Sequence, residues 1–191
     1  MEQAELSRLL RQAELTPLLP HSRDFQRARR VWNADIDRRP AAIVRCRTAS
    51  EVARAVSCCF ASGVDCTVRG GGHNVAGSAV SDGAVLIDLA GMAEVELLEG
   101  SEVAVGGGAT WAAVDAVTGA AGCAVPAGLI SHTGVGGLTL GGGYVRHGRG
   151  LCETRASGIP TPGRVARSHV VPRVRAVKRC LESGVLFGLC R

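Results

Sequence analysis

Apolar residues recur at helical spacing in the N-terminal third of the chain, and they predict its helices. An amphipathic helix is expected over residues 4–19. Its apolar face consists of Leu6, Leu9, Leu10 and Ala13. The basic stretch over residues 24–32 forms a second helix or a turn. A further helix begins at a capping box, in which Thr48 is followed three residues later by Glu51, and continues to Gly63.

Short apolar runs bounded by glycine, proline or charged residues predict the strands. Residues 41–45 and 65–68 flank the capped helix, so they form a strand–helix–strand unit with parallel pairing through a right-handed crossover. Residues 84–88 predict a further buried strand. Residues 94–98 and 102–105 alternate like the arms of a hairpin.

The next segment predicts one more helix and a glycine-rich loop. Thr110 is expected to cap a helix, and residues 123–125 are expected to form a strand. The inner side of that helix consists of Trp111, Val114, Val117 and Thr118. Residues 127–143 predict a loop with a helical turn. The chain up to residue 143 is therefore expected to be an α+β (mixed α/β) domain without internal repeats.

Composition and charge exclude several classes of protein. Residues 146–191 hold ten lysine and arginine residues against two acidic ones, whereas the net charge of the whole chain is +5. The basic character thus belongs to a C-terminal tail, which holds no stable period and has a single aromatic residue, Phe187, so nucleic-acid binding is not expected. No apolar run is long enough to span a membrane, and the acidic N-terminal sequence predicts a cytoplasmic protein.

The eight cysteines do not indicate a metal site or a disulfide framework. No CxxC pair or Cys/His spacing typical of metal sites occurs, and Cys58 and Cys59 lie inside an apolar helical pattern. We expect buried free thiols and no bound metal.

Four glycine clusters carry the candidate chemistry. The first lies in Arg69-Gly70-Gly71-Gly72-His73-Asn74, directly after a predicted strand, and three more follow at 106–108, 136–137 and 141–143. Consecutive glycines permit positive φ and let backbone N–H groups face an anion, while Arg69 adds a positive charge and His73 a nucleophile. On its own the first loop fits either a phosphate-bearing ligand or a tight turn with a surface histidine. Four clusters together indicate loops that converge on one extended ligand, and none matches a Rossmann or P-loop fingerprint.

Several of these motifs, in this order, resemble the FAD-binding domain of berberine-bridge-enzyme-like oxidoreductases, in the vanillyl-alcohol-oxidase flavoprotein superfamily. The motifs are Arg30-Val31-Trp32-Asn33, the segment 39–46, Arg69 to Asn74, Asp88-Leu89, Val105 to Trp111, and Ser131 to Tyr144. The resemblance implies a PCMH-type FAD-binding fold over residues 36–144, after a helical lead-in over 1–35 and before a divergent basic tail over 145–191. The alternative is that the FAD-binding domain extends to residue 191.

The resemblance also implies a cofactor and its contacts. In the family the Arg-Gly-Gly-Gly-His loop wraps the FAD diphosphate, and its histidine is bonded to the dimethylbenzene edge of the flavin; by position that residue is His73. The implied cofactor-binding residues are Arg69, Gly70, Gly71, Gly72, His73, Asn74, Gly77, Ser78, Thr133, Gly134, Val135, Gly137 and Gly143. A second link through cysteine is not expected, because Ile130 follows Ala127-Gly128-Leu129 where some relatives have that cysteine. Cys123 comes several residues too early, and His132, His147 and His169 are expected to be loop or solvated histidines.

The sequence departs from the family pattern after Tyr144, where we expect a frameshift or a truncation. The substrate domain of full-length relatives is then missing, so no catalytic base is predicted. The resemblance implies a fragment of an FAD-dependent oxidoreductase that oxidises an alcohol- or amine-type small molecule by hydride transfer to FAD, with dioxygen as acceptor. The alternative is a non-catalytic or inactive truncated flavin-binding protein.

Overall fold

The structure, a computed structural model, describes residues 2–98, 102–123, 125 and 127–141, together with the backbone of residues 173–175. Contacts divide the chain into two compact units, Met1–Met92 and Ala93–Arg191. The observed mixture of helices and sheets confirms the predicted α+β class. No helix in the described ranges combines the length and the apolar character that crossing a membrane requires.

The first unit contains a four-stranded sheet with helices before and between its strands. In chain order its elements are α1 (Gln3–Gln12), β1 (Pro17–Leu18), α2 (Phe25–Ala28), β2 (Ala42–Arg45), α3 (Ala49–Ser62), β3 (Cys66–Arg69) and β4 (Val85–Asp88). The strand order is β1-β2-β4-β3, with β2, β4 and β3 parallel and β1 antiparallel to β2.

Strand β4 lies between the two strands that were expected to pair with each other. β2 and β3 are parallel, as predicted for a strand–helix–strand unit, but both pair with β4. The burial of the strands gives the reason, because all four residues of β4 are buried, whereas β3 has two exposed residues and occupies the edge. The most apolar strand takes the centre of a sheet that is covered on both faces.

Two apolar clusters cover the two faces of this sheet. On one face, Ala42 and Val44 of β2 pack with α1 and α3. On the other, Ile43 of β2 and Leu86 of β4 pack with the chain segment that runs from α2 to Ile36. Because side chains alternate along a strand, the last residues of the parallel strands lie on this second face.

Helix α1 is shorter than the pattern of its apolar residues predicts. It ends at Gln12 rather than near residue 19. Glu14 takes a positive φ of 58°, which turns the chain, and Pro17–Leu18 then form β1. A proline lacks the N–H that a helix interior needs but is tolerated in a short edge strand, so the apolar residues after Ala13 pack as strand and loop.

The second unit contains a three-stranded antiparallel sheet and two helices. Its elements are β5 (Val95–Leu97), β6 (Glu102–Val105), α4 (Trp111–Ala120), α5 (Val135–Leu140) and β7 (Arg173–Arg175). β6 pairs with β5, as the hairpin prediction requires, and also with β7 of the tail. Its core surrounds Trp111 and Val114. The strand expected over 123–125 is not observed at its two described residues, because Cys123 and Val125 pack into this core without joining a sheet.

Candidate functional site

The first glycine loop leaves the carboxyl edge of the parallel strands. β2, β4 and β3 end in register at Arg45, Asp88 and Arg69, and residues 70–78 follow directly after Arg69. Parallel strands present their carboxyl ends at one edge of a sheet, so the loop starts beside the ends of two neighbouring strands. Open α/β sheets bind ligands at this kind of edge.

A buried ion pair anchors the start of the loop. The Asp88 carboxylate is 1% exposed and lies 2.8 Å from Nη2 of Arg69, whose side chain is 10% exposed. Nε of Arg69 donates to the other carboxylate oxygen at 3.4 Å, and Nη1 donates to the carbonyls of Ala28 and Arg30 at 2.6 and 2.9 Å. The positive charge predicted for the loop is therefore neutralised by a carboxylate and directed into the protein.

Arg45 adds a second cation to the same carboxylate. Its Nε lies 3.3 Å from Asp88 Oδ2, and its side chain is 59% exposed. With two arginines on one aspartate, the cluster carries one net positive charge at the carboxyl edge of the sheet. Of the two arginines, Arg45 is the one whose guanidinium reaches solvent.

The carbonyl groups of the loop are held by the segment between α2 and β2. The N–H of Trp32 donates to Gly72 O at 3.0 Å, and Nδ2 of Asn33 donates to Val75 O at 2.8 Å. Nη1 of Arg38 donates to Gly77 O and to Val80 O at 3.0 and 2.9 Å. These bonds fix the loop through its acceptors.

The N–H groups of the same loop are largely unpaired with protein acceptors. Within the described residues, no protein group accepts a hydrogen bond from the N–H groups of residues 70–72 or 74–76. Gly72 and Gly77 take positive φ values of 66° and 69°. A Cβ on Gly77 would lie 2.6 Å from a carbon of Ile36, so this position requires glycine for space as well as for conformation. Successive backbone N–H groups without protein acceptors can bind an anion.

His73 lies in the middle of this loop against an aromatic ring. Its imidazole stacks on the indole of Trp32, with ring centroids 4.5 Å apart and planes inclined by 20°. Farther along, Asn74 closes a turn, since its carbonyl accepts from Gly77 N at 3.0 Å and its Oδ1 accepts from Ser78 N at 3.3 Å. Among the predicted site residues, those at 69–78 are thus brought together in one structure.

The other predicted site residues lie in the second unit. Thr133 O accepts from Trp111 N at 3.1 Å, and Val135 N donates to Ala109 O at 2.9 Å. Gly134 forms a β-bridge with Thr110, and Gly137 lies in α5. This segment therefore packs beside the glycine cluster 106–108 and the start of α4, whereas the remaining predicted residue, Gly143, lies outside the described residues.

Site-building residues that sequence reasoning did not assign are Asp88, Trp32, Asn33 and Arg38. Asp88 and the Trp32-Asn33 pair belong to motifs that carried the family resemblance, so a signal was present without a role attached to it. Arg38 had no such signal. In the described ranges, no cluster of histidine, cysteine and acidic residues could hold a metal ion, and all five described cysteines are free, with Cys46, Cys59 and Cys123 buried.

Comparisons with known proteins identify a family for this chain. Residues 40–155 match the family described as FAD binding domain. The chain is 34% identical over 129 residues to (R)-6-hydroxynicotine oxidase of Paenarthrobacter nicotinovorans. The aligned region covers 66% of this chain and 28% of that oxidase. The chain thus spans less than a third of the length of that relative.

Solved structures give the same result. The BBE-like 1 protein of Physcomitrella patens superposes with a TM-score of 0.66 at 26% identity, over 71% of this chain and 30% of its own. The glucooligosaccharide oxidase of Acremonium strictum, with a 6-S-cysteinyl, 8α-N1-histidyl FAD, superposes with a TM-score of 0.68 at 27% identity. The match covers 73% of this chain and 30% of the oxidase. This chain belongs to the FAD binding domain family, among the berberine-bridge-enzyme-like flavoproteins of the vanillyl-alcohol-oxidase superfamily.

Proposed function

We propose that this chain is the FAD-binding part of an FAD-dependent oxidoreductase, with the FAD diphosphate held by the backbone N–H groups of the loop after β3. The observation that carries the proposal is the hydrogen bonding of that loop. The carbonyls of Gly72, Val75 and Gly77 accept bonds from the segment between α2 and β2, whereas the N–H groups of residues 70–72 and 74–76 have no acceptor among the described residues. A diphosphate supplies the acceptors that such a row of donors lacks.

The remaining predicted contacts complete this proposal. Asn74, Gly77 and Ser78 hold the end of the loop in a turn. On the family resemblance alone, we include Thr133, Gly134, Val135, Gly137 and Gly143 as cofactor-binding residues, the last four at positions that line the isoalloxazine and the diphosphate in relatives. Arg69 acts through the position of the loop, because its guanidinium makes its hydrogen bonds to Asp88, Ala28 and Arg30.

We propose a single covalent link, between an imidazole nitrogen of His73 and the methyl carbon at the dimethylbenzene edge of the flavin. One C–H bond of the methyl group and the N–H bond of the imidazole are replaced by one C–N bond. The two protons and two electrons leave with dioxygen as hydrogen peroxide. The histidyl link of the glucooligosaccharide oxidase supports this assignment, and Ile130 at the position of the family's second linking residue supports a single link.

The proposed reaction is oxidation of an alcohol- or amine-type carbon in a small molecule, with dioxygen as the final acceptor. When bound, FAD supplies the hydride-accepting chemistry, and the protein supplies position and electrostatics. Relatives named as nicotine-derivative and oligosaccharide oxidases support a small-molecule substrate. A cytoplasmic location and the absence of nucleic-acid partners stay predictions from the sequence.

The test is the visible absorption spectrum of the purified full chain, before and after acid precipitation. We expect yellow colour that stays with the precipitate, that is lost from the precipitate in His73→Ala, and that is retained in His132→Ala, the matched histidine of the second unit. Colour that washes into the supernatant of the wild-type protein would contradict the covalent link. A colourless protein after reconstitution with FAD would contradict FAD binding.

A second candidate is a flavin-binding protein that does not turn over. It is favoured because the residues that the family resemblance assigns in this chain are cofactor contacts, and none of them is a catalytic base. Anaerobic addition of an alcohol or amine panel to the flavin-loaded chain separates the two. Bleaching of the flavin absorbance that reverses with air supports the oxidoreductase, and a spectrum unchanged by every compound supports the second candidate.

A further inference from the structure

We infer that Trp32 is a positioning residue that holds the imidazole of His73 in the orientation needed for attachment of the flavin. The inference rests on the proposed link at His73 and adds the residue that prepares it. Trp32 lies in the entry segment between α2 and β2, 41 positions before His73. Its indole stacks on the imidazole, with centroids 4.5 Å apart and planes inclined by 20°.

The exposure of Trp32 shows that the ring does not serve the core. The side chain is 51% exposed, whereas the other tryptophan, Trp111, is 1% exposed and forms the centre of the second unit's core. Burial therefore explains little of why an indole stands at position 32. The Trp32 indole stacks on the ring of His73 instead.

The backbone around the stack is fixed independently of the indole. The N–H of Trp32 donates to Gly72 O at 3.0 Å, and the Asn33 side chain donates to Val75 O at 2.8 Å. These two bonds bracket His73 on both sides, and neither of them uses the indole of Trp32. A side-chain variant therefore removes the stack while leaving the loop anchored.

The stack restricts the rotation of the imidazole ring. The terminal torsion of histidine is broad, and a contact on the face of the imidazole narrows the range of ring planes that it samples. A stacked aromatic neighbour favours one of them by an amount that corresponds to roughly a three- to tenfold population ratio. Bond formation at the flavin methyl carbon requires the imidazole nitrogen to be aimed at it, so loss of the stack should slow attachment by about the same factor.

The experiment compares Trp32→Leu, which keeps apolar bulk without a π-face, with Trp32→Phe, which keeps a ring. Flavin-free full chain is mixed with FAD in air, and the flavin that stays with acid-precipitated protein is measured over time. Total FAD uptake before precipitation and the unfolding temperature are measured in parallel. We expect Trp32→Leu to attach flavin about three- to tenfold more slowly at unchanged uptake and unfolding temperature, and Trp32→Phe to stay within about twofold of the wild type.

A flavin-free measurement separates this inference from the proposed function. The ring current of a stacked indole shifts the imidazole proton resonances of His73 upfield, and His73→Gln assigns them. We expect that upfield shift to vanish in Trp32→Leu and to persist in part in Trp32→Phe. If wild-type protein attaches no flavin, the proposed link is wrong, and the stack is judged by this spectrum alone.

Three results would overturn the inference. The first is attachment by Trp32→Leu at the wild-type rate. The second is an equal loss of rate in Trp32→Leu and Trp32→Phe, because the aromatic face would then not be the cause. The third is an unshifted His73 resonance in the wild-type protein.

Discussion

Asp88→Asn should remove a large part of the folding stability of the chain, because Asp88 is the buried anion on which Arg69 depends. The carboxylate is 1% exposed and lies 2.8 Å from a guanidinium nitrogen that is itself nearly buried. Asparagine keeps the size of the side chain and the oxygen that accepts from Ala90 N at 3.2 Å. It removes the negative charge, so the Arg69 guanidinium stays buried with the carbonyls of Ala28 and Arg30 as its main compensation.

The magnitude follows from burial. Removing one partner of a buried ion pair costs about 3–5 kcal/mol, and the neutral acceptor that asparagine retains places the expected loss near 3 kcal/mol. The exposed Arg45 adds little to this loss because solvent screens it. Against a total of roughly 5–15 kcal/mol for a native protein, such a loss is a substantial fraction.

The assay is urea unfolding at neutral pH and fixed salt, followed by circular dichroism. With a slope of about 2 kcal/mol per molar urea, the midpoint should fall by about 1.5 M. Asp24→Asn is the matched control, because Asp24 lies 2.9 Å from Arg27 in a pair that is 62% and 82% exposed. Its loss should cost about 0.5 kcal/mol. Equal midpoints for the two variants would refute the reasoning, since the two pairs differ in burial and hardly in distance.

Three further predictions concern local packing and titration. Gly77→Ala should lower the free energy of unfolding by about 2–4 kcal/mol, and Gly83→Ala by about 1 kcal/mol. Both glycines have φ near +70°, but only at Gly77 would a Cβ lie 2.6 Å from a side-chain carbon. Equal losses of stability in thermal unfolding would contradict this reasoning. A thiol reagent at about pH 8 should modify the exposed Cys66 in the folded protein and spare Cys59, whose pKa burial raises to about 12; early labelling of Cys59 by mass spectrometry would be the contrary result. Burial raises the pKa of Asp115, so its ionisation lowers stability as pH rises from the ordinary value of about 3.9 through the raised one. Asp115→Asn should therefore increase the unfolding temperature at neutral pH and not at about pH 3, and a gain independent of pH would count against this cause.

Helix α3 shows what local sequence determines. Thr48 and Glu51 predicted its start, and Thr48 Oγ1 accepts from Glu51 N at 3.2 Å in the structure. Gly63 predicted its end and takes a φ of 64° there. Both signals act over one turn of chain, so they can be recognised without knowing what the helix packs against.

The order of the strands could not be predicted in the same way. Pairing of β4 with both β2 and β3 depends on which strand is buried on two faces, and that is decided by the whole sheet. The partner of Arg69 could not be predicted either, because it depends on the register of the strands. The charge of Arg69 was expected at the cofactor loop, but the register that sets Arg69 opposite Asp88 gives it a buried partner 19 residues away.

The glycine content predicts the loop after β3, but it does not predict how the loop is held in place. Glycines at 70–72 indicated a backbone that can approach an anion, although Gly72 alone among these three takes a positive φ. The anchoring of the loop carbonyls by Trp32, Asn33 and Arg38 requires the entry segment to fold back over the sheet. Contacts between segments about 40 residues apart leave no periodic signal in the sequence.

The most direct test of the account is peptide mass mapping of the flavin-loaded full chain. We predict that the proteolytic peptide containing His73 gains the mass of FAD less two hydrogens, and that fragmentation places the addition on His73. A flavin attached to any other residue, or an unmodified His73 peptide from protein that retains its yellow colour after acid precipitation, would contradict it.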